Sequence, residues 1–161
     1  MTASALQRLV DQANIFDLIN TYSDYLDRAD VDGLVGLFAP QGLMDMGGGA
    51  VHRGKAELRE LFLDRCRLYQ VQNLHFSGSR LTAYDGSTAA VTSSLYSLLE
   101  SRDQRLGMHT WGRYVDEVIL VDGRWLFLER HLLVAAVEHV GISDEIPTRF
   151  NRLRRKELPV E

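Results

Sequence analysis

Cysteine is nearly missing from this chain of 161 residues. Its single example, Cys66, excludes an intramolecular disulfide framework and any cysteine-rich zinc site. The five histidines contain no His-x3-His pair, so no metal site is expected. No Gly-x-Gly-x-x-Gly or phosphate loop is present either, and Gly47-Gly48-Gly49 reads as a turn between short strands. No elbow motif supports a serine nucleophile. An excess of positive charge is also lacking: 18 Lys and Arg against 22 Asp and Glu give a net charge of −4. That balance offers no global electrostatic case for nucleic acid. The basic run of Arg149, Arg152, Arg154, Arg155 and Lys156 reads as a solvated helix face. No apolar stretch approaches the roughly 20 residues a spanning helix needs, so no membrane partner is expected. Met1 to Ser4 lead into an amphipathic helix without a signal-type apolar region, which makes a reduced, cytoplasmic location the expectation.

What remains is ordinary in composition and specific in order. Hydrophobic residues make up 45% of the chain and charged residues 25%, the mix of one domain with a real core. Leu6, Leu9, Val10, Ala13, Phe16 and Ile19 to Tyr22 recur at three- and four-residue spacing, predicting a long first helix with Ser4 as its N-cap. Asp30 is expected to cap a second helix from Val31 to Phe38, which Pro40 ends. Gly42 to Met46 reads as a short strand. A third helix is expected from Lys55 to Leu68, with Leu58, Leu61, Phe62 and Cys66 on its buried side. Four extended runs follow: Val71–Tyr84, Thr88–Ser101, Leu106–Val121 and Arg124–His139. Asp85-Gly86 and Asp122-Gly123 are hairpin signals, and Arg102-Asp103-Gln104-Arg105 is a polar loop. This order predicts an α+β fold: three N-terminal helices packed on a strongly curved, mostly antiparallel sheet that encloses a cone. Residues 1–139 form the domain, and 140–161 a separate tail over the pocket mouth or against a neighbouring subunit.

Two residues stand out chemically. Asp27 sits at the end of the first helix, where the dipole places partial negative charge, so its carboxylate needs a partner. His75 shares a strand row with Asn73, Ser77 and Ser79, polar for a row expected to face the core. A carboxylate holding an imidazole in one tautomer makes a usable general base near neutral pH. Tyr22 and Tyr25 share the helix end and are candidates to touch substrate. Tyr22 and Asp27 lie about 140° apart around an ideal helix, so both line one pocket only if the pocket wraps the helix end. His109 alternates with Trp111 and Arg113 on one strand face. Arg130 is either a substrate anchor or the partner of an acid such as Glu129 or Asp116. His52, His131 and His139 read as structural or exposed.

Three segments carry a resemblance over roughly Leu6 to His139. They are Tyr22-x4-Asp27-x2-Asp30 with Leu34 and Leu37-Phe38; His75-Phe76-x-Gly78; and Gly112-Arg113-Tyr114-x-Asp116 through Asp122-Gly123-Arg124-Trp125 to Arg130. Together they resemble the SnoaL-like branch of the nuclear transport factor two-like superfamily, which includes scytalone dehydratase, lindane dehydrochlorinase and bile-acid 7α-dehydratase. The resemblance implies a cofactor-independent elimination on a small, largely apolar or cyclic molecule, with Asp27 and His75 as the acid–base dyad. It places Tyr22 in the pocket and implies a homo-oligomer, trimer or dimer. The stretch from Ser97 to Arg102 lacks the second pocket histidine of scytalone dehydratase, and His109 takes a related place from the next strand. An isomerase or polyketide-type cyclase using the same dyad, and a non-catalytic subunit like the small subunit of ring-hydroxylating dioxygenases, are the open alternatives.

Overall fold

The computed structural model describes residues 3–102, 106–141 and 156–158. Helix α1 (Ala3–Asp27) buries Ile15, Leu18, Ile19, Tyr22 and Leu26, one stripe at helical spacing. It starts before Ser4, which therefore lies inside the helix and not at its cap. Its end is a Schellman motif: Asp30 N–H donates to the Tyr25 carbonyl and Ala29 N–H to that of Leu26, with Ala29 left-handed at φ 58°. Asp30 then caps α2 (Val31–Gly36), its side chain accepting from Gly33 N–H at 3.1 Å. This helix stops short of Phe38 and Pro40, because Phe127 N–H captures the Leu37 carbonyl at 2.9 Å and draws the chain into strand β1 (Phe38–Asp45). Pro40, with no N–H to give, sits where the β1 register is irregular.

Gly47, Gly48 and Gly49 all hold positive φ in the turn to strand β2 (Val51–Arg53), a conformation that favours glycine. Helix α3 (Gly54–Leu68) buries Leu58, Phe62, Leu63 and Cys66. Four long strands follow: β3 (Tyr69–Tyr84), β4 (Thr88–Ser101), β5 (Leu106–Val121) and β6 (Arg124–Gly141). Asp122 (φ 49°) and Gly123 (φ 75°) make the expected tight turn between the last two. The sheet runs β2-β1-β6-β5-β4-β3, with β1 parallel to β6 and every other pair antiparallel. Three helices thus pack on a six-stranded, curved, unclosed sheet. No helix among the described residues is long and apolar enough to cross a membrane. Residues 103–105 and most of the tail, including Arg149, Arg152, Arg154 and Arg155, lie outside the described residues. Lys156 is described: its N–H donates to the Arg28 carbonyl at 2.7 Å and its ammonium to Asp30 at 2.5 Å.

Candidate functional site

Strand β3 is the free edge of the sheet, and α1 covers it. Ser23 Oγ donates to the Leu74 carbonyl at 2.6 Å, and Leu74 N–H donates to Asp27 Oδ1 at 3.3 Å. One turn of helix thereby satisfies both outward-facing backbone groups of an edge residue that would otherwise invite strand pairing. Asp27 also accepts from Asn73 Nδ2 at 3.1 Å, and the other end of that amide, Oδ1, meets His75 Nε2 at 2.5 Å. A carboxylate only accepts, so the amide turns its NH2 to Asp27 and its oxygen to His75; that oxygen requires a proton on Nε2. Nδ1 is left as the proton acceptor of the neutral ring. Burial pushes the Asp27 carboxyl up to about 6 against the pull of Leu74, Asn73 and His75.

The direct Asp27–His75 hydrogen bond expected of a dyad is replaced by this three-membered chain. The reason is strand alternation. Gln72 and Leu74 are buried and Phe76 packs on the core, so Asn73, His75 and Ser77 belong to the opposite, outer face. His75 is exposed there and stacks on Tyr96 of β4, ring centroids 6.1 Å apart and 24° from parallel. Tyr96 in turn hydrogen-bonds His109 Nδ1 at 2.6 Å, and His109 stacks on Trp111 at 6.0 Å. His75, Tyr96, His109 and Trp111 make one aromatic row across three strands. Tyr96 carries no motif; only its register opposite both His75 and Trp111 reveals it.

The other candidates are placed elsewhere. Tyr22 is 1% exposed in the core, its hydroxyl against Met44 Sδ, and burial raises its phenol well above the ordinary value. Arg130 is fully buried, with Asp116 its acid partner at 3.6 Å and no pairing to Glu129. Its guanidinium lies 4.0 Å from the Tyr114 ring centroid, 4.1 Å from Tyr22, 4.4 Å from Phe127 and 5.2 Å from Phe76. None of the guanidinium nitrogens or Asp116 oxygens makes a hydrogen bond. Burial raises the Asp116 carboxyl despite the attraction of Arg130. Tyr25 is half-buried and closes on Gly33, where an added Cβ would meet its ring at 2.7 Å. The structure therefore links Asp27 at the β3 edge to His75 through Asn73, and His75 to His109 through Tyr96 on the outer face, and separates them from Tyr22 and Arg130 inside.

By sequence, no curated protein matches the chain. Among solved structures, a scytalone dehydratase-like protein of Novosphingobium aromaticivorans superposes with a TM-score of 0.80 at 20% identity, covering 92% of this chain and 99% of its own. A hexachlorocyclohexane dehydrochlorinase, LinA type 3, of Novosphingobium barchaimii gives 0.79 at 16% identity, covering 89% and 99%. A protein described as an aromatic ring hydroxylase, also of N. aromaticivorans, gives 0.77 at 20% identity, covering 82% and 94%. At these identities the likeness is one of fold. The model of the SnoaL-like domain matches residues 7–131, and the chain belongs to that family.

Proposed function

We propose that the chain is a cofactor-independent lyase that eliminates a small leaving group from a cyclic or apolar substrate. The hydrogen-bonded chain Asp27–Asn73–His75 carries this reading, because it fixes the ring with Nδ1 free to accept a proton. His75 takes a proton from a carbon made acidic by a neighbouring carbonyl or ring. Asp27, through Asn73, holds the ring and offsets the charge it gains. Of the three proton donors expected for the leaving group, His109 shares His75's face; Tyr22 is in the core and Tyr25 at the α1–α2 corner. The fold likeness to a dehydratase-like protein and a dehydrochlorinase supports the same class of reaction.

The test is a panel of β-hydroxy ketones and chlorinated cyclohexanes, followed by product mass and chloride release. His75→Ala should lower kcat/KM at least ~10²-fold with an unchanged urea midpoint, the usual weight of one general base. Wild-type turnover should rise with pH through about 6 as Asp27 ionises. Unchanged turnover in the His75 variant removes the mechanism. A product of unchanged mass assigns an isomerase or cyclase using the same residues. A second reading, a non-catalytic binding or scaffold module, draws on the packed cone, where Tyr22 meets Tyr114 and Phe127 edge-on around Arg130. No turnover of any panel member, with the protein folded, favours it.

A further inference from the structure

One rung beyond the aromatic row, the outer face changes from rings to cations. Ser77 pairs with Ser94 and Ser94 with Arg113; past the irregularity at Gly78, Arg80 pairs with Thr92. Arg80, Thr92, Ser94 and Arg113 line a cleft of about 180 Å³ with Gly78 and Ser93. Ser93 is 1% exposed and is held by Ser79 Oγ at 2.9 Å, which fixes the floor. The cleft contains no acid, and neither arginine has an acidic partner among the described residues. Two guanidinium groups lining one cleft without an acid make it a positive site that an anion would neutralise. This happens in a chain whose acids outnumber its bases by 22 to 18, so acidic residues are plentiful and yet absent from this place.

The cleft does not stand alone. Along β4, Ser94 and Tyr96 are two residues apart on the same face, about 7 Å. Along β5 the same step separates Arg113 from Trp111, which is 40% exposed. A planar ring laid on Tyr96 and Trp111 thus puts a group one or two bonds away within reach of Arg113 and the hydroxyls of Thr92 and Ser94. Guanidinium recognises a carboxylate through paired hydrogen bonds, and the aromatic faces take the ring.

We propose that the outer face of β3, β4 and β5 is a binding site for aromatic carboxylates, with Tyr96 and Trp111 stacking the ring and Arg80 and Arg113 holding the carboxylate. This deepens the lyase reading, on which it rests only for calling the ligand a substrate: the ring then lies beside His75. Benzoate carries nothing to eliminate, so its binding is measured apart from turnover.

The experiment is calorimetric titration of the full chain with benzoate, with benzamide as the neutral isostere and acetate as the ringless anion. Benzoate should bind at least tenfold tighter than either and weaken as salt is raised. It should also quench Trp111, since Trp125 is buried and bonded to Asp11. Arg80→Gln/Arg113→Gln and Trp111→Ala should each cost at least fivefold in benzoate affinity, with unchanged urea midpoints. Benzoate no tighter than benzamide, or unaffected by loss of both arginines, overturns the proposal. So does sedimentation in which wild type is an oligomer and Trp111→Ala a monomer, with benzoate bound by neither; the face is then a contact between copies of this chain.

Discussion

Removing Asp116 while keeping Arg130 should be among the most damaging single changes in this protein. The two residues are cross-strand partners on the inner face of β5 and β6, both at 0% exposure. At 3.6 Å their attraction is about 5 kcal/mol for an effective dielectric of roughly 20. Burial works against it, as the raised Asp116 carboxyl shows, so the pair is not a net source of stability. The rings of Tyr22, Tyr114 and Phe127 add cation–π attraction of about 0.5–2 kcal/mol each. They hold the cation in place but cannot neutralise it. Asp116→Leu therefore leaves a buried, uncompensated charge, which should cost about 3–5 kcal/mol. Arg130→Met/Asp116→Leu removes the problem along with the pair, and should fall within about 1 kcal/mol of wild type or above it. Urea unfolding at pH 7.5, with the m value checked for constancy, reads both numbers. Asp116→Leu costing less than about 1 kcal/mol, or a double variant as unstable as the single, refutes the reasoning. If the double variant is stable but inactive towards a substrate that wild type turns over, substrate reaches the cone interior.

Two other sites give sharper local tests. His131 bridges β1 and β6, Nδ1 to Asp45 at 3.3 Å and Nε2 to Glu129 at 3.0 Å. Partial burial depresses the ring, but these bonds outweigh it and raise His131 above the ordinary histidine value, while the Gly47 N–H and His131 lower Asp45. The histidine's contribution is complete below its unfolded value of about 6.5 and lost as pH rises through the raised one; Asp45's is present above about 3.9 and lost in acid. Thermal melts of wild type against His131→Leu should therefore differ most between about pH 4.5 and 6 and converge by pH 8.5; a pH-independent difference denies the bridge. Gly112 sits at the β5 irregularity, where an added Cβ would lie 2.3 Å from the Leu133 carbonyl oxygen. Because that neighbour is backbone, Gly112→Ala should cost about 1–3 kcal/mol in urea, and a neutral result would mean the two strands separate freely there.

Features of this fold that were legible in the sequence are those encoded over a few residues. Asp122-Gly123 turns because both positions must take positive φ, and glycine does so freely. Asp30 caps because a short side-chain oxygen reaches an N–H three residues on. The stripe Ile15, Leu18, Ile19, Tyr22 and Leu26 identifies the buried face of α1, and the 140° between Tyr22 and Asp27 already separated their destinations. Tyr22 looks into the core, and Asp27 to the β3 edge. The parallel pairing of β1 with β6 was not legible, since Phe38 and Phe127 lie far apart in the chain and Pro40 interrupts the strand between them. Nor was the burial of Arg130, which depends on the register shift between Glu117 and Val118 within the β5–β6 hairpin. Alternation sorts a strand into two faces without saying which is inside. The polar row Asn73, His75 and Ser77 could be assigned to the pocket only if polarity meant chemistry; in the fold it lies outside, and Gln72, Leu74 and Phe76 face the core.

The parity of β3 thus decides where any chemistry occurs, and it can be measured without a substrate. A shift of one residue in the strand would exchange the faces, bringing His75 towards Arg130 and turning Phe76 to solvent. Cys66 is the sole native thiol and is buried, so it contributes little to rapid labelling by an aromatic disulfide reagent. A cysteine introduced as His75→Cys should react within the mixing time, like an exposed thiol, and one introduced as Leu74→Cys at least ~10²-fold more slowly, because its reaction requires local opening. Ser77→Cys should follow the first and Phe76→Cys the second. Four rates alternating fast and slow along the strand would fix the His75 ring on the outer face beside Tyr96. The opposite alternation would place the imidazole inside the cone, with Arg130 and Tyr22 in reach, and would move the site of elimination from the outer face to the interior.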